Sequence, residues 1–174
     1  ASIRPLAHAA IQKRNQNKHE ILRIKLAKEI KQYPIENVGT LKLFLAALYW
    51  AEGAKHNRTS GAIFVNTDPN LCKLYITLLR RCYDIDESKF RIRLHLHYYH
   101  SIKETRRFWS NLLQVSEGQF GKIYIKARSK TKKFRKNFGG ICFIRYTDSD
   151  LRRELLEISK QFCELIISKE NMSS

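Results

Sequence analysis

The sequence predicts an α+β fold: one main domain carrying a basic helical extension at its N-terminus. Three observations lead there. Residues 90–98 alternate without a break, Phe90, Ile92, Leu94, Leu96 and Tyr98 against Arg91, Arg93, His95 and His97, the signature of a strand with one buried face. Several other stretches instead repeat their apolar residues at helical spacing. At 174 residues and 43% hydrophobic, the chain can bury one good core.

The first 38 residues are basic and free of glycine, and are expected to form two helices, about 3–14 and 18–33, as an extension before the domain. Asn17 with Glu20 resembles a capping box, Leu22, Leu26, Ile30 and Tyr33 follow at helical spacing, and Pro34 ends the pattern. Packing with a basic outer face is preferred to a helix-turn-helix, because the linking turn has no glycine and the second helix lacks recognition character.

The domain is expected to span 39–168, with 169–174 as a frayed tail. Thr40 caps a helix over 41–52 whose residues Leu43 to Ala51 are all apolar, so every side needs covering, by the domain or by a partner. Residues 61–67 read as a strand, and Asp68-Pro69 opens a helix to about 82 with Leu71, Leu74, Tyr75, Leu78 and Leu79 on one stripe. Ser101 and Glu104 cap a helix to about 113. Two apolar runs, 122–127 and 141–147, predict a hairpin with a long connection, and Asp148 or Ser149 caps a last helix to about 168.

Charge narrows the partners. With 33 Lys and Arg against 16 Asp and Glu, the net charge is +17, which favours a polyanion, nucleic acid first. No run reaches the roughly 18–20 apolar residues of a membrane-spanning helix, so an intracellular protein with no membrane partner is expected. Cys72, Cys82, Cys142 and Cys163 form no C-x-x-C pair and read as reduced core cysteines. Neither a nucleophile elbow nor a phosphate-cradling glycine loop is present.

Gly118 to Thr147 contains no acid. Its Lys126, Arg128, Lys130, Lys132, Lys133, Arg135 and Lys136 suit phosphate contacts that add affinity without reading sequence. Arg91, Arg93, His95 and His97, spaced about 7 Å apart along one strand face, suit base reading in a major groove, against the alternative of a solvated sheet face. A metal at His95, His97 and His100 is disfavoured by the neighbouring arginines. Glu52, at the tip of the apolar helix, is a hard ligand suited to Mg2+, or else a helix end that faces solvent or pairs with Lys55.

Residues 45–53, L-A-A-L-Y-W-A-E-G, resemble the motif of the LAGLIDADG homing endonucleases and their regulatory relatives: Leu45, Ala46, Leu48, Ala51 and Gly53 match, and Glu52 replaces the final Asp. The resemblance implies a saddle of antiparallel strands that binds double-stranded DNA. It also implies a homodimer joined through helix 41–52 on a near-palindromic target. Glu52 and the Ala51 carbonyl would be metal ligands, and Lys122 and Lys126 catalytic lysines. The expected activity is metal-dependent hydrolysis of DNA phosphodiester bonds. A non-cleaving DNA-binding regulator and an RNA-binding, maturase-like protein are the alternatives. The chain departs from the family in having only A-K-H-N-R-T-S where a first strand belongs, and an extra helix, 102–113, before the final strands. Residues 112–118, L-L-Q-V-S-E-G, lack the small residues of a second motif copy, so a pseudo-symmetric monomer is disfavoured.

Overall fold

The structure is a computed structural model that describes residues 4–56, 59–127 and 139–172. Residues 1–37 and 38–174 form two separate compact units.

The first unit is one helix, α1 (Arg4–Glu29), followed by a 3-10 turn over Ile30–Gln32. The two helices expected here are therefore a single one. Between Pro5 and Pro34 no glycine or proline interrupts it, and an asparagine inside a helix costs only about 0.5 kcal/mol relative to alanine. Glu20 does not cap Asn17 but accepts two hydrogen bonds from the Arg23 guanidinium, at 3.0 and 2.8 Å.

The second unit is mixed α+β, running α2 (Val38–Glu52), β1 (Ala62–Asn66), α3 (Pro69–Cys82), β2 (Phe90–His97), α4 (Ile102–Leu113), β3 (Tyr124–Lys126), β4 (Ile141–Tyr146) and α5 (Ser149–Met172). Helix α2 begins before Thr40, and α5 runs to Met172 rather than ending near 168. Local signals act as expected at three helix starts. Asp68 accepts from Asn70 N at 2.8 Å, Ser101 from Glu104 N at 3.4 Å, and Asp148 from Asp150 N and Leu151 N at 3.0 Å each.

The sheet order is β1-β4-β2-β3. Strand β4 is antiparallel to both β1 and β2, while β3 lies parallel to β2 at the edge. This corrects the expected hairpin: β3 and β4 do not pair. Helix α4 carries the chain back after β2, so the next strand re-enters in the same direction, as a parallel neighbour requires. Strand β4 alternates buried Cys142, Ile144 and Tyr146 with half-buried Ile141, Phe143 and Arg145, whereas all three residues of β3 are exposed. The strand with more to bury takes the interior of the sheet.

One face of the sheet supplies Ala62, Phe64, Phe90, Ile92, Leu94, Leu96, Cys142, Ile144 and Tyr146 to a single core. The helices complete it with Leu45, Tyr49, Tyr75, Leu79, Trp109 and Leu155, all fully buried. Trp109 donates through Nε1 to Gly139 O at 3.0 Å, tying α4 to the start of β4. Gly61 enters β1 at φ 88°, a left-handed conformation that a side chain would strain, and its absent Cβ would stand 2.3 Å from Tyr146 O.

Helix α2 is not covered all round. Leu41, Leu45, Ala46 and Tyr49 face the core, while Leu43 (42% exposed), Phe44 (55%) and Trp50 (49%) share an outer face with exposed Ala47 and Ala51. Among the described residues, no helix is long and apolar enough to cross a membrane.

Candidate nucleic-acid interface

Glu52 sits where α2 runs into the sheet edge. Gly53 N closes the last turn onto Tyr49 O at 2.7 Å, but Ala54 N, due next onto Trp50 O, donates instead to Ile63 O at 2.8 Å. The chain so joins β1 through a single bridge, Gly53 to Phe64, in the place where a paired strand was missing from the sequence. Tyr49 holds this junction together. Its ring is buried, its hydroxyl donates to Ala54 O at 2.9 Å and accepts from Ile63 N at 3.4 Å, and burial raises its pKa.

The Glu52 side chain is exposed, and its Oε2 accepts a hydrogen bond from Asn66 Nδ2 at 3.1 Å. Its partner is therefore the end of β1 rather than Lys55. Asn66 is itself fixed, since its Oδ1 accepts from Thr67 N and Asp68 N at 2.8 Å each. The carbonyls of Trp50, Ala51 and Glu52 have no helical partner, because a helix leaves its last carbonyls unmatched. Carboxylate and carbonyl together make a small set of hard oxygen donors at the negative end of the α2 dipole.

The outer sheet face is assembled by register. Ile63, Arg145 and Arg91 lie side by side, then Val65, Phe143 and Arg93, then Ile141, His95 and Tyr124, and last His97 with Lys126. No acid stands at any of these positions. Aromatic rings brace the middle rows: the Arg93 guanidinium carbon lies 5.2 Å from the Phe143 ring centre, and the His95 ring is 4.3 Å from Phe143 and 5.1 Å from Tyr124. Burial and, secondarily, the Arg93 charge lower the His95 pKa, so its imidazole is neutral near pH 7 and offers one donor and one acceptor. The Tyr99 ring stacks on His97 at 5.4 Å and on His100 at 4.5 Å.

The structure thus brings Arg91, Arg93, His95, His97 and Lys126 onto one face. Lys122 is exposed and just precedes β3, so Lys122 and Lys126 belong to the edge opposite Glu52. Three strand spacings, about 14 Å, separate β1 from β3, and within one chain the two lysines do not join the acid. His100 folds back on the backbone, its Nδ1 lying 3.0 Å from His97 N. Among the described residues no three His, Cys, Asp or Glu side chains are grouped to hold a metal ion. Arg128, Lys130, Lys132, Lys133, Arg135 and Lys136 lie outside the described residues.

Two contributors were not singled out from the sequence. Asn66 had no signal, since its role depends on a contact formed across a loop. Arg145 had one: the alternation of β4 places it with Ile141 and Phe143, opposite the core residues. No protein-family model, curated protein or solved structure matches this chain.

Proposed function

We propose that this chain binds double-stranded DNA across the outer face of its sheet as a LAGLIDADG-like two-fold dimer, and that Glu52 of each copy serves metal-dependent hydrolysis of phosphodiester bonds. The carrying observation is the row order of that face, where arginine, histidine and lysine recur on neighbouring strands with no acid among them. Such a surface is attractive to phosphate and offers fork-shaped donors to base edges.

The outer face of α2 supports the dimer. Leu43, Phe44 and Trp50 frame the small residues Ala47 and Ala51, which let a second helix approach closely. Each copy would then bring its β1 edge and its Glu52 toward the two-fold axis.

The donors at the end of α2 fit Mg2+, which takes one or two carboxylates and completes its shell with water and substrate phosphate. Glu52 and the Ala51 carbonyl would hold it, with a second copy supplying the matching pair. When bound, the ion provides an activated water and charge stabilisation at the scissile phosphate. Asn66 holds the Glu52 carboxylate in place, and the arginines of the sheet hold the duplex.

A second reading, a DNA-binding protein that does not cleave, is favoured by the placement of Lys122 and Lys126 on the far edge. A randomised duplex library incubated with Mg2+, using the wild type and Glu52→Gln, separates the two. Cleavage by the wild type alone, with equal binding by both, is the expected result. Salt-sensitive binding by both without cutting by either would remove hydrolysis and leave the second reading.

A further inference from the structure

We infer that Arg91 and Arg145 together hold one backbone phosphate, a phosphodiester subsite at the end of the sheet distinct from the positions that face bases; this rests on the nucleic-acid reading above. The two residues are direct cross-strand partners on the outer face. Like charges placed opposite one another destabilise a sheet, and here no acid relieves them. The acid three residues beyond Arg145 is already engaged: Asp148 Oδ1 caps α5, and its Oδ2 lies 3.7 Å from Lys89 Nζ.

Both guanidinium groups are held in place yet keep donors to spare. Arg145 Nη2 donates to Ser60 Oγ at 2.6 Å and its Nε is enclosed, so Nη1, which has no partner among the described residues, is the donor it can offer a ligand. Arg91 Nη1 donates to Ser88 O at 2.6 Å and Phe90 O at 2.7 Å, and among the described residues its Nε and Nη2 have no hydrogen-bond partner on this exposed side chain. Two arginines rooted at directly paired positions, each part-satisfied by neutral oxygens, are within side-chain reach of one tetrahedral oxyanion that accepts from both. Arg93, in contrast, is stacked on Phe143 one row further in. The division is therefore phosphate holding at the Arg91 row and base contact beyond it.

The test measures affinity for two unrelated mixed-sequence duplexes over a series of NaCl concentrations, for wild type, Arg91→Gln, Arg145→Gln and the double variant. Glutamine removes the charge while keeping a polar amide side chain, and Arg145→Lys serves as a charge-preserving control that keeps the wild-type salt slope. The double variant is expected to weaken both duplexes by the same factor and to flatten the slope of log K against log salt by about 0.9, the share of one phosphate. A loss of about twice that slope would mean two separate phosphates and overturn the shared subsite, as would a changed preference between duplexes or an unchanged slope. Failure of the nucleic-acid reading is distinct: wild type would bind neither duplex. Inorganic phosphate, followed through the arginine Nε resonances at constant ionic strength, then decides the remaining case. A phosphate-dependent shift at Arg145 without duplex binding would assign the site to free phosphate and overturn the phosphodiester.

Discussion

Replacing Gly53 by alanine tests whether the end of α2 is held as tightly as its contacts indicate. A Cβ there would stand 2.5 Å from Cδ2, Cε2 and the carbonyl oxygen of Tyr49. Carbon atoms rest at about 3.5–4.0 Å, so about 1 Å of overlap must be relieved at three atoms together. The Tyr49 ring cannot swing aside: it is fully buried, stacked near Tyr75 at 6.3 Å between centres, and tethered through its hydroxyl to Ala54 and Ile63. The remaining relief is a shift of the helix end, which breaks the bridge to Phe64 and moves Glu52 off Asn66. Overpacking of this kind costs about 1–3 kcal/mol, and the backbone contact puts this case near the upper end. At about 3 °C per kcal/mol for a domain of this size, Tm should fall by about 6–9 °C. Thermal unfolding by circular dichroism and urea titration measure it, with Gly118→Ala as control, since a Cβ there meets only Ser116 Oγ at 3.7 Å. A Gly53→Ala variant within about 0.5 kcal/mol of wild type would refute the reasoning, because that is the range of surface substitutions without such contacts.

Three further outcomes follow from the same geometry. Asn66→Asp keeps the acceptor for Thr67 N and Asp68 N but removes the donor to Glu52 and sets a second carboxylate against it, so the variant should unfold at a lower urea concentration than wild type; an unchanged midpoint would show that the two side chains do not meet in solution. Phe44→Glu, on the exposed face of α2, should turn a dimer into a folded monomer by sedimentation, whereas Leu45→Glu, fully buried in the core, should unfold the chain; an unchanged dimer for Phe44→Glu would place the interface elsewhere. Because His95 is held below its usual pKa, the folded chain binds fewer protons there than the unfolded chain. Its contribution to stability is therefore present above the unfolded value of 6.5 and lost as the pH falls toward the lowered folded pKa. His95→Phe should flatten that part of the urea-measured stability profile between about pH 7 and pH 5, and an identical profile would contradict the assignment.

What the sequence disclosed and what it hid divide along the range of the interactions involved. Helix α3 was legible because Asp68 and Pro69 are adjacent to the turn they cap, and β2 because alternation is a property of consecutive residues. Helix α4 was legible through Ser101 for the same reason. The pairing of β3 with β2 was not, since it depends on α4 reversing the chain and on β4 outcompeting β3 for the sheet interior. Helix α1 was divided at a weak cap that nothing forced to act. For the candidate site, the residues of β2 were found by periodicity, yet the Glu52 anchor, Asn66, lies 14 residues away and comes near only because Gly53 bridges to Phe64. Arg145 was visible in the alternation of β4, but its meaning came from the strand placed beside it.

On the proposed function, the outer face of the sheet, and not basic charge in general, takes the DNA. Two charge reversals of equal size test it: Arg93→Glu on that face, and Arg153→Glu on α5, where the arginine is exposed and paired with Asp150. Duplex affinity by fluorescence anisotropy at fixed salt should fall by at least about tenfold for Arg93→Glu, a change of about 1.4 kcal/mol, and stay near wild type for Arg153→Glu. Equal losses in the two variants would contradict the account and assign binding to net charge alone.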